Sequence, residues 1–207
     1  MLAATSALGP ASMQILLPAL PVIKTTFSVS TEVAQLTLSL SMLAIALGTL
    51  TYGPFSDKYG RKPVMLCGLV IMLAGSIFCF FAGSIEMLIA ARFLQAFGAA
   101  VGLVLARAIV RDVYGAEEAA RVIATLVMVM VVLPMISPAL GGELMTRFGW
   151  QSVFIAMAIF GFLIFIVLVI RLPETLTEPA PFEGVSSMLK TFLRLFQSKA
   201  FSGYAFC

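Results

Sequence analysis

The chain has 207 residues, 61% of them apolar and 11% charged, with a net charge of +3 and a mean hydropathy of +1.08. A soluble domain carries about 25% charged residues, so the composition excludes a soluble globular domain and a disordered chain, and the small, scattered positive balance excludes a nucleic-acid partner. With no histidine and three cysteines, no metal site or histidine-based catalytic set can be assembled, and neither an enzyme nor a cofactor is expected.

A helix crosses ~30 Å of hydrocarbon in about 20 residues. Apolar runs of that length occur over 2–23, 33–55, 63–83, 87–110, 122–145 and 152–170. They predict an all-α membrane protein, a six-helix transmembrane bundle over residues 1–170 embedded in a lipid bilayer. The first run has no basic residues before it, and the first charge is Lys24, so a signal peptide is not expected. Residues 171–199 hold Pro173, Pro179, Pro181 and seven charges and read as a cytoplasmic central loop. Residues 200–207 turn apolar again, as the start of a seventh, truncated span.

Basic residues set orientation. Lys58, Arg61, Lys62, Arg107, Arg111, Arg121, Arg171, Lys190, Arg194 and Lys199 fall on one side, and only Lys24 and Arg147 on the other. The first side should be cytoplasmic, with the N-terminus inside, as expected for a cell (inner) membrane protein.

The second span ends in Gly53-Pro54-Phe55-Ser56-Asp57-Lys58-Tyr59-Gly60, the fifth in Gly142-Glu143-Leu144-Met145-Thr146-Arg147-Phe148-Gly149. Both read Gly, four residues, a base, an aromatic, Gly, at an offset of 89 residues or three spans. An odd number of spans puts the copies on opposite sides of the membrane, the mark of an inverted 3+3 repeat.

The first copy continues into Arg61 and Lys62. Gly53 allows close approach of a neighbouring helix, Asp57 can accept from Arg61, and Gly60 permits a sharp turn. An Asp among three bases at a membrane edge forms a network that two conformations could make or break. These residues resemble the loop signature G-x-L-A-D-R-x-G-R-K of the major facilitator superfamily, matched at Gly53, Asp57, Gly60, Arg61 and Lys62. The resemblance implies a conformational latch there.

The fourth span places Arg92, Gln95, Ala99, Gly102 and Ala106 on one helical face. Arg92 lies about 9 Å inside the outer end at 1.5 Å per residue, where an arginine is costly unless paired or snorkelling to water. The segment resembles the superfamily's R-x-x-Q-G motif, with Ala96 in place of the glycine; in drug–proton antiporters that arginine is implicated in proton coupling. In the fifth span Pro134 and Pro138 each remove a backbone donor and bend the helix, and Gly141 and Gly142 allow close packing beside the bend. Pro138, Gly141 and Gly142 match the exporter-associated motif G-x-x-x-G-P-x-x-G-G, with Leu133 and Ser137 replacing glycines.

Leu17-Pro18-Ala19-Leu20-Pro21, Gln35, Gly53 to Asp57, Arg107-Ala108-Ile109-Val110-Arg111-Asp112 and Leu172-Pro173-Glu174-Thr175 together resemble the bicyclomycin-resistance (Bcr/CflA-type) drug-efflux family. The likeness runs over essentially the whole chain, as the N-terminal half of a twelve-span protein. It implies export of small, partly apolar molecules by alternating access, with a proton as coupling ion and a missing C-terminal six-helix half as partner. Met13, Gln14, Gln35, Arg92 and Gln95 are the substrate or coupling candidates. A family member commonly carries an acid where this chain has Gln14, and no carboxylate falls in mid-membrane. Glu32 reads as the cap of the second span, and Glu143 as the nearest acid to an embedded one. A metabolite transporter of the same fold, or a non-transporting scaffold or half-size dimer, are the alternatives.

Overall fold

The computed structural model describes residues 1–114 and 116–176; the expected loop beyond 176 and the start of a seventh span lie outside the described residues. Every regular element among them is helical: α1 (Leu2–Gln14), α2 (Leu20–Thr26), α3 (Thr31–Tyr59), α4 (Arg61–Phe80), α5 (Ile85–Val113), α6 (Ala116–Phe148) and α7 (Ser152–Arg171). Six spans are long and apolar enough to cross a membrane, the first being α1 and α2 together, Leu2–Thr26. The helices outrun the apolar runs because their ends are capped by polar residues. Ser30 accepts from Val33 N–H at 3.4 Å and Ser84 from Met87 N–H at 3.2 Å, opening α3 and α5. Ser30, rather than Glu32, is thus the N-cap of α3, and Glu32 sits in its first turn, where its charge complements the helix dipole.

The first span is broken. Pro18 has no N–H for the carbonyl of Gln14, and Pro21 none for Leu17. α1 therefore stops at Gln14, a 3₁₀ turn covers Leu17–Ala19, and α2 restarts at Leu20.

α5 is the most buried span and packs on α1, α3 and α4. In lipid no hydrophobic force drives helices together, so close packing of small residues must do so. A Cβ at Gly98 of α5 would collide with the Met72 backbone of α4, and one at Gly75 of α4 with the Gln95 backbone of α5. α4 and α5 cross at backbone contact because both positions are glycine. One cluster, including Leu8, Met65, Leu69, Val101, Leu105 and Leu168, fills the bundle toward one end. A second, including Leu16, Ile23, Leu88, Trp150 and Phe154, fills the other, with the Trp150 ring edge-on to Phe27 at 5.6 Å and to Phe154 at 6.0 Å. α6 is the least covered span: Met128, Val131 and Met135 are more than 60% exposed on it.

Candidate functional site

Three constellations carry polar chemistry. The first is inside the bundle. Arg92 and Gln95, one turn apart on α5, are both buried. Arg92 Nη1 donates to Gln95 Oε1 at 2.6 Å, Gln95 Nε2 donates to Ser76 Oγ of α4 at 2.7 Å, and Ser76 Oγ donates to Met72 O at 2.9 Å. The Arg92 side chain reaches forward along α5 and does not snorkel to the outer surface. Its Cζ lies 6.0 Å from the centre of the Phe154 ring, and Nε and Nη2 have no partner among the described residues. Buried polar groups ordinarily have a hydrogen-bond partner, and an arginine inside a membrane bundle is costly without one. The face read from helical spacing divides: Gln95 turns to α4, whereas Gly102 abuts Thr5 of α1.

The second constellation is the break in the first span. Met13 and Gln14 end α1 half-buried, and Gln35 is exposed on α3; none of them is brought to Arg92 by a bond. Gly141 of α6 packs against the Ile15 carbonyl so closely that a Cβ would collide with it. Pro134 and Pro138 lie inside α6, and Ser137 Oγ donates to Leu133 O at 2.7 Å, tying down one carbonyl beside the prolines. The broken first span and the proline-containing α6, which is continuous, therefore meet each other at Ile15 and Gly141. Gly142, expected to share this packing, faces nothing within 4 Å. A helix leaves only one of two adjacent residues on a given face, and Gly141 occupies it.

The third lies at the end of the bundle where α3 turns into α4. α3 stays helical through Tyr59, so Asp57 stands in its last turn and Gly60 alone makes the turn, with φ 99° and ψ 150°. Arg61 Nη1 pairs with Asp57 Oδ1 at 2.5 Å and donates to Ser56 Oγ at 2.7 Å, while Arg61 Nε pairs with Asp112 Oδ2 of α5 at 2.9 Å. Lys62 Nζ donates to Val169 O of α7 at 3.1 Å. Gly53 is not the close-approach residue of α3: a Cβ there would meet only Val104 at 3.9 Å. Gly48 is, since its Cβ would lie 2.7 Å from Ala100 Cβ.

Sequence reasoning missed Glu174. Its Oε1 accepts from Arg61 N–H at 2.9 Å and its Oε2 from Lys62 N–H at 3.2 Å, so it caps the N-terminus of α4 from across the bundle. Thr175 and Leu176 N–H also donate to Oε1, each at 3.0 Å. Burial works against its charged form, but the backbone donors of Leu176, Arg61, Lys62 and Thr175 outweigh it and hold the carboxyl below its ordinary range. The one signal available was the Leu172-Pro173-Glu174-Thr175 run, which named a family without naming a contact.

The bundle's two ends carry different polar networks. Asp112, Glu174 and the basic residues Arg61 and Lys62 meet at one end, and Met1 lies beside Arg171 there. At the other, Lys24 Nζ donates to Thr31 Oγ1 at 2.8 Å and Arg147 pairs with Glu143 one turn back. That Glu143 carboxylate is well exposed.

Comparison with known proteins agrees with this architecture. The chain is 38% identical over 202 residues to YdgK of Bacillus subtilis, an uncharacterized MFS-type transporter, covering 96% of this chain and 50% of that one. It is 30% identical over 202 residues to a bicyclomycin resistance protein homolog of Haemophilus influenzae, covering 97% and 51%. It is 33% identical over 190 residues to the multidrug resistance protein MdtL of Escherichia coli O9:H4, covering 89% and 49%. The chain thus spans about half the length of these relatives. A bacterial homolog of the human lysosomal transporter Spinster, solved inward-facing and unoccupied, superimposes with a TM-score of 0.76 at 21% identity, over 95% of this chain and 47% of that one. Residues 2–207 match the Major Facilitator Superfamily as a family, and with six apolar spans and no strand among the described residues and transporters for relatives, the chain belongs to that superfamily as an N-terminal half of its fold.

Proposed function

We propose that this chain forms the N-terminal half of an exporter of small, partly apolar molecules of the drug and antibiotic class, driven by protons through alternating access. The observation that carries the reading is the buried chain Arg92–Gln95–Ser76 with two unused guanidinium donors. A charge kept inside a membrane bundle without a partner costs stability and marks a functional group. Arg92 cannot release a proton itself, but it can bias a carboxylate that approaches it in one conformation. The likeness to a bicyclomycin resistance protein homolog and to a multidrug resistance protein supports the substrate class, and Pro134 and Pro138 inside α6, with the glycines after them, support export. Asp57, Arg61 and Lys62, clasped by Asp112 and Glu174, would latch the cytoplasmic end, with the N-terminus inside. The uncovered apolar faces of α3 and α6 would receive a C-terminal six-helix half.

The test is accumulation of bicyclomycin and of a fluorescent apolar dye in cells expressing the whole protein that carries this chain. Accumulation should fall several-fold and recover when a protonophore collapses the gradient. Unchanged accumulation of both compounds would remove the drug-export reading, and efflux indifferent to the protonophore would remove proton coupling.

A further inference from the structure

Arg107 belongs to none of the three constellations. It lies on α5 six residues, about 9 Å, before the helix ends at Val113, and it is exposed. Its side chain does not turn back to the near, clasped end. Helical side chains lean toward the N-terminus of their helix, which for α5 is the opposite end, and Arg107 Nη2 donates to Met130 Sδ of α6 at 3.9 Å. Met130 lies 14 residues, about 21 Å, into α6, near the middle of its length. A thioether is a weak acceptor, and no carboxylate among the described residues pairs with the guanidinium. Asp112, the next acid along α5, is held by Arg61, and Glu118 of α6 stands 12 residues, about 18 Å, before Met130.

The face of α5 that carries Arg107 is the one the bundle leaves open. Nine residues back and half a turn round, Gly98 abuts Met72 of α4, so Arg107 points away from α4. Val104 on one side of it lies against Gly53 of α3, and Ala106 on the other clusters with Leu2 and Ala3 of α1. α3 packs on α5 and α6 packs on α1, while α3 and α6 have no packed interface with each other. α5 and α1 thus floor a recess walled by α3 and α6, and Arg107 stands on the floor. An arginine persists at such depth where water or a counter-charge reaches it. This half offers no counter-charge: α1 has no acid, α3 has none between Glu32 and Asp57, and α6 has none between Glu118 and Glu143.

We propose that Arg107 sets the charge selectivity of a water-filled recess between α3 and α6, admitting uncharged and anionic molecules and repelling lipophilic cations. A half seated on the uncovered faces of α3 and α6 leaves the floor behind them open. A fixed charge between low-dielectric walls acts strongly on an entering ion, and a planar guanidinium pairs well with a carboxylate. As a statement about substrates the proposal rests on the export reading; the sign of the charge in the recess does not.

The test places a thiol beside the guanidinium, as Met130→Cys in the whole protein that carries this chain, purified in detergent with its native cysteines replaced. Modification rates are measured with sulfonatoethyl methanethiosulfonate, an anion, and trimethylammonioethyl methanethiosulfonate, a cation, each relative to its rate with 2-mercaptoethanol. The anion should react at least about tenfold faster on this relative scale. Arg107→Gln should bring the two within twofold, and Arg107→Lys should keep most of the difference. Equal rates with Arg107 present would mean that a carboxylate of the other half neutralises it, and no reaction with either reagent would mean a dry recess; both overturn the proposal. A preference that survives Arg107→Gln would assign the charge elsewhere and overturn it too. The comparison in the Arg107 protein decides by itself, should the glutamine variant misfold. In cells, efflux of ethidium, a cation, should be weak beside that of uncharged N-phenyl-1-naphthylamine, and Arg107→Gln should raise the ethidium share at least fivefold. Equal efflux of both dyes with Arg107 present overturns the substrate selectivity. Efflux of neither removes the export reading, and the thiol rates then decide the charge of the recess alone.

Discussion

Gly60 and Gly149, 89 residues apart, are the two glycines with positive φ among the described residues, at 99° and 83°, and each donates its N–H to the carbonyl four residues back, Ser56 at 3.1 Å and Met145 at 2.9 Å. The sequence repeat is therefore also a repeat of backbone conformation, with one copy at each end of the bundle. The copies differ in what surrounds them. A Cβ at Gly60 would lie 2.6 Å from Glu174 Oε2, whereas one at Gly149 would meet only Gln151 Oε1 at 3.4 Å. Backbone strain of about 1–3 kcal/mol applies to a side chain in the Gly60 region, and displacement of the Glu174 cap adds to it. Gly60→Ala should lower the melting temperature of the purified protein clearly more than Gly149→Ala. Equal losses would mean that Glu174 contributes nothing at the turn.

Glu174 gives the clasp a pH dependence. Its folded-state pKa is held below the ordinary carboxylate value of 4.5, so its contribution is complete above 4.5 and is lost as pH falls through the depressed folded value. Glu174→Gln puts an NH2 donor in place of one of the two oxygens, so that either the Arg61 or the Lys62 N–H faces a donor where it had an acceptor. The melting temperature of the Gln variant should lie below that of the parent at pH 7, and the gap should close in acid below pH 4.5. A gap that is constant down to the acid limit would mean that the carboxylate charge is irrelevant.

Asp57 tests the latch. It is nearly half-exposed, and Arg61 keeps Asp112 when Asp57 is neutralised, so Asp57→Asn should cost under about 1 kcal/mol of stability. If the network switches between conformations, transport by the whole protein should nevertheless fall at least several-fold with insertion intact. Normal transport would reduce these charges to a topology signal.

Span number was legible because lipid demands about 20 apolar residues whatever the fold. The partners of each face were not. In helices that are apolar nearly all round, periodicity does not say which side meets protein, which is why the close approach expected at Gly53 occurs at Gly48, and that expected at Gly141 and Gly142 occurs at Gly141 alone. The Pro18 and Pro21 spacing held a signal for the break in the first span that a single run over 2–23 passes over, and its meeting with Gly141 needed coordinates. Glu174 was beyond sequence reasoning, because a cap supplied 113 residues from Arg61 has no local signature.

Orientation can be read by single-cysteine labelling in intact cells with a membrane-impermeant maleimide. Ser56, at the latch, is a poor reporter because it is fully buried. Val113 and Phe148 are 55% and 72% exposed and stand at opposite ends of the bundle. Val113→Cys should be protected and Phe148→Cys labelled. The reverse pattern would invert the protein.

The sharpest separation of function from stability lies at Arg92. A buried charge without a counter-ion destabilises its surroundings, and exchanging buried charges for apolar groups of similar volume is often neutral or stabilising by about 1–4 kcal/mol. Arg92→Met should therefore leave melting unchanged or raise it, even though Gln95 loses one donor. Proton-driven efflux by the whole protein should be lost, because the other two arginines of α5, Arg107 and Arg111, are exposed near its far end and no second buried base stands beside Arg92 to bias an approaching carboxylate. Glu143 provides the contrast. It is exposed and paired one turn away with Arg147, a pair worth little, so Glu143→Gln should retain most activity. Dye efflux against an imposed pH gradient, alongside thermal melting, measures both variants. Active, destabilised Arg92→Met would make the arginine a structural residue, and complete loss with Glu143→Gln at normal expression would move the proton site to the outer end of α6.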